Sequence, residues 1–281
     1  MLKVDQPKDL VAFRHEAMAT DFYAYLFGHE ETYLKQAVYE AFQIVDEIES
    51  KLSLYQEGSD VSRVNFAKPG ESVVVSSEFI ECLQQAAEAC EVTLGKFDLF
   101  QGRAALKAKG QILSHVRSEP TTKPLELHKL KVDPVNRRIE KTCASALLDF
   151  GGIGKGYALD CMKAFLEEWD VKQGILSASG STLLFLDALE AEQSWKASIG
   201  PDRICLSPNQ ALSSSGLGFQ EEHIIDPSTQ KSATRWKRSY SIAPNAALAD
   251  ALSTGALLAS KDELQEISDS ENAIGIAVET D

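Results

Sequence analysis

Residues 144–160 read ASALLDFGGIGKGYALD, and how this stretch divides decides the architecture. The apolar run 144–150 predicts a strand, the glycines of 151–156 a tight turn, and 157–169 a helix. Glycines between a strand and a helix let the backbone approach a ligand, and a helix N-terminus favours anions. A P-loop is excluded, because Asp149 stands where its first glycine belongs and Gly156 where it needs Ser or Thr. The spacing GxGxG also departs from the dinucleotide fingerprint GxGxxG. Alone, the cluster is equally a structural turn.

On its N-terminal side, Leu34, Val38, Ala41, Val45, Ile48 and Leu52 recur at intervals of three and four and predict one long helix over 31–55. Residues 18–27 (MATDFYAYLF) read as an aromatic strand, 59–65 as a polar turn, and 73–75 as a short strand. Ser77 reads as the cap of a helix carrying Phe79, Ile80, Leu83, Ala86, Ala87 and Cys90. The Lys-rich stretch 95–137 predicts loops around one or two short elements. On the C-terminal side, 174–187, 195–199, 203–206, 210–215, 222–226 and 239–243 read as strands. Asn245 reads as the N-cap of a helix through Leu257, and 273–278 as a last apolar piece. The order lacks strict strand–helix alternation. It predicts a single compact α+β domain over 1–281 with largely antiparallel sheets, and each half carries a helix followed by short strands.

Lys plus Arg is 28 and Asp plus Glu 42 among 281 residues, a net charge of −14. That excludes the basic footprint of a nucleic-acid binder and a polybasic membrane anchor. No apolar run is long enough to span a membrane, and the start has no signal-peptide core, so the chain as given reads as cytoplasmic. Five widely spaced cysteines without CxxC predict free thiols. An acidic chain that binds an anionic ligand needs backbone donors, a local Lys or a divalent cation to hold it.

Asp250 and Thr254 lie four apart on the last long helix, so a carboxylate and a hydroxyl share one face and can reach one hard cation; a surface Asp and an ordinary helical Thr are the plainer alternative. His223, in HIIDP, has the side chain of a general base, or of a core histidine at a strand end. A hydrolase using Ser214 or Ser215 lacks the GxSxG elbow. Tyr55 ends a helix before a turn dense in hydroxyls and amides (Ser59, Ser62, Asn65), which suits stacking on a flat heterocycle or plain helix termination.

In this order and spacing the segments resemble the ApbE family of FAD:protein FMN transferases. Met18–Ala19–Thr20 is similar to its MGT, 46–65 (DEIESKLSLYQEGSDVSRVN) to its LS.Y…S…N segment, and Lys96–Phe97–Asp98 to its AFD. DFGGIGKGYALD at 149–160, SSG at 214–216, HIIDPSTQ at 223–230 and APNAALADALSTGAL at 243–257 resemble its DlGGiaKGyavD, TSG, HIIDPrTG and ADALaT segments. The resemblance spans 18–258. It implies two related β-α-β units packed together, FAD as substrate, and Mg2+. The implied activity transfers FMN to a Thr or Ser hydroxyl of a partner flavoprotein with release of AMP. It further implies Gly152 (through its carbonyl), Asp250 and Thr254 as metal ligands and His223 as base. Met18, Tyr55, Lys96, Phe97, Asp98, Asp149 and Lys155 are implied as FAD contacts.

The sequence departs from that pattern at Ala19 and Ser179, where the family has glycine. Phe100 replaces a hydroxyl residue, and Gln230 replaces glycine. The metal and base positions are intact while the flavin-cradling ones are altered. Hydrolysis of FAD to FMN and AMP, and FAD binding without turnover, are therefore the alternative readings.

Overall fold

The computed structural model describes residues 3–4, 10–108, 129–188, 194–199, 202–216 and 235–280. Its centre is a seven-stranded antiparallel sheet. The strands are β2 (Val11–Ala17), β3 (Thr20–Leu26), β7 (Gly174–Ala178), β8 (Thr182–Phe185), β11 (Ala211–Gly216), β12 (Arg238–Ala243) and β13 (Gly275–Glu279), in the spatial order β13-β12-β11-β8-β7-β3-β2. A three-stranded sheet joins β1 (Lys3–Val4), β9 (Trp195–Ile199) and β10 (Asp202–Leu206); another joins β4 (Ser72–Val74), β6 (Arg138–Lys141) and β5 (Leu130–Asp133).

The two faces of the large sheet carry different cores. Side chains alternate across a strand. Leu183, Phe185 and Leu212 pack with Trp195, Ala197 and Leu206 of the β9 sheet on one face. Leu184 and Ala211 point to the other face, which the helices cover. The central strands β7 and β8 are therefore buried throughout, which is why 174–187 reads as one apolar stretch; the structure breaks it into a hairpin.

The helices are α1 (Glu31–Leu52), α2 (Asp60–Phe66), α3 (Ser77–Val92), α4 (Gly102–Ala108), α5 (Gly154–Glu168), α6 (Ala246–Leu258) and α7 (Lys261–Ser268). The apolar positions of α1 expected from the 3.6 period, Leu34 to Leu52, are buried. Asn245 caps α6, accepting from the Leu248 N–H at 2.8 Å, as its sequence position predicts.

Several expectations are corrected. Residues 144–150 form no ladder. Residues 144–145 are a turn, and 146–150 run on mostly buried. On one side the Asn65 side chain donates to the Leu148 carbonyl at 2.8 Å and accepts from the Leu148 N–H at 2.7 Å; on the other the Asp149 N–H donates to the Leu99 carbonyl at 2.8 Å and the Gly102 N–H to the Leu147 carbonyl at 3.0 Å. Burial with only these scattered bonds produces the same apolar pattern as a strand. The polar turn at 59–65 is instead α2, because Ser59 caps it through the Ser62 N–H at 2.9 Å. Ser76, not Ser77, caps α3, and α5 starts three residues before Tyr157. Within 18–27 the chain first turns at Met18 and Ala19, and the missed strand β2 precedes it. The strand expected at 222–226 lies outside the described residues.

Candidate active site

The site is assembled where α5 crosses α6, and the crossing is close because glycine stands at the contact. A Cβ on Gly156 would lie 2.1 Å from the Ala246 carbonyl oxygen. On the far side of α6, a Cβ on Gly255 would lie 2.5 Å from Thr93 Cγ2. These approaches draw the glycine turn, α6 and the 93–97 segment together.

Asp250 lies at the centre, 4% exposed. The Gly156 N–H, one of the orphan donors in the first turn of α5, reaches Asp250 Oδ2 at 3.3 Å. The Lys155 ammonium also stands 3.3 Å from Oδ2 and donates to the Gly151 carbonyl at 3.2 Å. The carboxylate therefore sits at the positive end of the α5 dipole and beside a cation, which offsets its burial. Thr254, one turn on, follows it on the same face; a Cβ on Gly152 would lie 3.4 Å from Thr254 Oγ1 and 3.1 Å from the Phe97 ring. Gly152, Lys155, Asp250 and Thr254, singled out in sequence from segments about a hundred residues apart, thus meet.

The remaining candidates surround this centre. Phe97 is buried, and its N–H donates to Thr93 Oγ1 at 3.0 Å. Lys96 pairs with Glu263 of α7 at 3.1 Å. Glu263 also accepts from the Ser260 N–H in a capping box; burial would raise its pKa, but these bonds and Lys96 outweigh it and hold the carboxyl below its usual range. Asp98 accepts from the Phe100 N–H at 2.9 Å, and Phe100 is buried in the core. Asp149 accepts from the Gly151 N–H at 2.9 Å and so closes the glycine turn. Tyr55 is 43% exposed; partial burial and the nearby Asp149 raise its phenol pKa. Met18 is held by α1, its N–H donating to Glu49 Oε2 at 2.8 Å. His223 lies outside the described residues.

Sequence reasoning missed the floor of the site. The α6-facing positions of β11 and β12 are small: Ala211, Ser213 and Ser215 register with Ala243, Ser241 and Ser239. Their hydroxyls take up bonds to the helix. Ser241 donates to the Ala249 carbonyl at 2.6 Å and Ser239 to the Ser253 carbonyl at 2.5 Å. Ser215 Oγ lies 2.8 Å from Ser253 Oγ and 3.3 Å from Thr254 Oγ1. The available signal was a run of three serines in one strand and serine at alternate positions of its neighbour, patterns that otherwise mark a solvent face.

The fold and site define an α+β protein with an oxygen-lined, partly buried acidic centre at a helix crossing, one Lys beside it. A model of the ApbE family matches residues 18–277, and the chain belongs to that family. It is 27% identical over 243 residues to an FAD:protein FMN transferase of Chlamydia muridarum, covering 78% of this chain and 75% of the relative. It is 22% identical to the Haemophilus influenzae protein of the same name, covering 97% and 87%. The ApbE protein of Thermotoga maritima superposes with a TM-score of 0.80 at 25% identity, covering 96% of this chain and 94% of that one. The flavin transferase ApbE of Vibrio cholerae gives 0.75 at 16% identity, covering 97% and 98%, and shows the shared fold.

Proposed function

We propose that this chain is a magnesium-dependent FAD:protein FMN transferase. What supports the reading is the meeting of the glycine turn with Asp250 and Thr254, together with relatives of that name over most of the chain. The donor set fits the cation: a buried carboxylate, a hydroxyl and backbone oxygen, without nitrogen or sulfur, suit magnesium. Asp250, Thr254 and the Gly152 carbonyl would hold it, and when bound it neutralises pyrophosphate charge and polarises the phosphoryl oxygen.

The protein's own groups supply the rest. Lys155 and the N-terminus of α5 stabilise the phosphates, and Tyr55, Phe97 and Met18 border the flavin. His223 accepts the proton of the acceptor's Thr or Ser hydroxyl as that oxygen attacks the FMN phosphorus. The bond from that phosphorus to the bridging oxygen breaks, and AMP leaves with the oxygen. A flavoprotein subunit bearing the hydroxyl is the acceptor.

The test is incubation with FAD and Mg2+, with and without candidate acceptors, followed by chromatography for AMP and mass spectrometry for protein-linked FMN. AMP together with an FMN-sized mass increase on the acceptor is expected. Absence of metal-dependent AMP overturns the reading, and AMP released equally without acceptor replaces it with FAD hydrolysis. His223→Ala should retain FAD and slow transfer by about 10²–10⁴-fold.

A further inference from the structure

Thr182 is an anomaly of the strand pattern. It opens β8, is fully buried, and faces α6 on the same side as Leu184, where an apolar side chain would pack without cost. Its hydroxyl lies 3.3 Å from Asp250 Oδ1 and 2.9 Å from Ser213 Oγ, which is also fully buried.

Counting protons fixes the direction of these bonds. An ionised carboxylate only accepts, so Thr182 spends its one proton on Oδ1. Thr182 can then only accept from Ser213, whose own proton is thereby committed. Ser253, 3.3 Å from Ser213, donates to the Asp250 carbonyl at 2.9 Å. Oδ1 is thus held from the sheet below, while Oδ2 faces Lys155 and the Gly156 N–H at the glycine turn. The two carboxylate oxygens are thus held from different sides, Oδ1 by the sheet and Oδ2 by the glycine turn.

We infer that Thr182, fed by Ser213, is a positioning residue that fixes the rotation of the Asp250 carboxylate and so sets the affinity of the site for a divalent cation. The inference rests on the metal reading of Asp250 given above. Partners of this kind orient ligating carboxylates, and their loss typically costs about 10–100-fold in affinity.

The experiment is a calorimetric Mn2+ titration of the full chain without flavin, with thermal unfolding measured on the same samples. Thr182→Val keeps the shape and removes the donor; Mn2+ binding about tenfold weaker than wild type is expected, with Thr182→Ser restoring it. Ser213→Ala leaves Thr182 its acceptor but removes its donor, and should weaken binding by a smaller factor; it carries the test if Thr182→Val does not fold. A wild type that binds, with variants that lose thermal stability at unchanged Mn2+ affinity, overturns the positioning role alone. A wild type that does not bind Mn2+ overturns the metal reading and this inference with it.

Discussion

The α5–α6 crossing and the two turns at 18–19 and 179–180 treat glycine in opposite ways. Gly156 at the crossing, and Gly255 on the far side of α6, stand where no side chain fits, a Cβ lying 2.1 Å from the Ala246 carbonyl oxygen in one case and 2.5 Å from Thr93 Cγ2 in the other. At the turns the backbone is left-handed, with φ of 51° at Met18, 56° at Ala19 and 54° at Ser179, yet these residues carry side chains. Hard overlap with a neighbouring backbone cannot be relieved locally. A left-handed residue costs roughly 1–2 kcal/mol and can be tolerated by a well-packed fold. The comparison teaches which glycines of a pattern are dispensable: those that serve conformation, before those that serve space.

The largest effect should come from the crossing itself. Asp250→Asn removes the carboxylate's charge, and on the proposed function metal-dependent AMP release should fall by more than about a hundredfold, beyond the range expected of an outer partner; a smaller loss would shift the centre of the site away from α6. Gly156→Ala should destabilise the protein by about 3 kcal/mol, the upper end of overpacking costs, because its obstacle is the Ala246 carbonyl. In a chain of this size, thermal unfolding should fall by roughly 6–12 °C. A change under 1 kcal/mol would show the crossing to be more pliable than the turns.

The same crossing should give a pH signature. Asp160 of α5 accepts the Ala246 and Ala247 N–H groups of α6 at 2.9 and 2.8 Å. Desolvation outweighs these bonds and raises its carboxyl from 3.8 to about 6. A raised folded-state pKa contributes stability that is full below the unfolded value and is lost as pH rises through the folded one. The stability advantage of wild type over Asp160→Asn should therefore shrink between about pH 4 and 7, by up to about 3 kcal/mol, in denaturant titrations at each pH. A gap that widens with pH would reverse the assignment.

The turns should respond least, and in the opposite sense. Ala19→Gly and Ser179→Gly should each stabilise by about 1 kcal/mol, raising the unfolding temperature by roughly 2–4 °C. Destabilisation instead would mean that their side chains contribute more than the left-handed backbone costs.

The same contrast explains what was legible beforehand. Asp250, Thr254, Gly152 and Lys155 were visible because each pair lies within one short local pattern, a helical i, i+4 face or a glycine turn. The family resemblance then joined the two. The hairpin at 18–19 was not visible, because Met-Ala gives none of the Asn-Gly signal that left-handed turns usually carry. The strand expected at 144–150 failed because 144–145 turn, and beyond them the Asn65 amide and the 99–102 backbone, both distant in sequence, take the bonds a ladder would make. Thr182, Ser213 and Ser253 stayed hidden for a related reason: a hydroxyl in a strand or helix says nothing of its partner until the sheet and α6 are superposed.

One consequence follows from how the two helices hold each other. Asp160 on α5 satisfies the first amides of α6, and Asp250 on α6 satisfies an amide in the first turn of α5. Neither end can fray without breaking a bond to a carboxylate of the other. The amides of Gly156, Ala246 and Ala247 should therefore exchange with solvent deuterium in a single cooperative opening, making the site a latch that is either wholly shut or wholly undone.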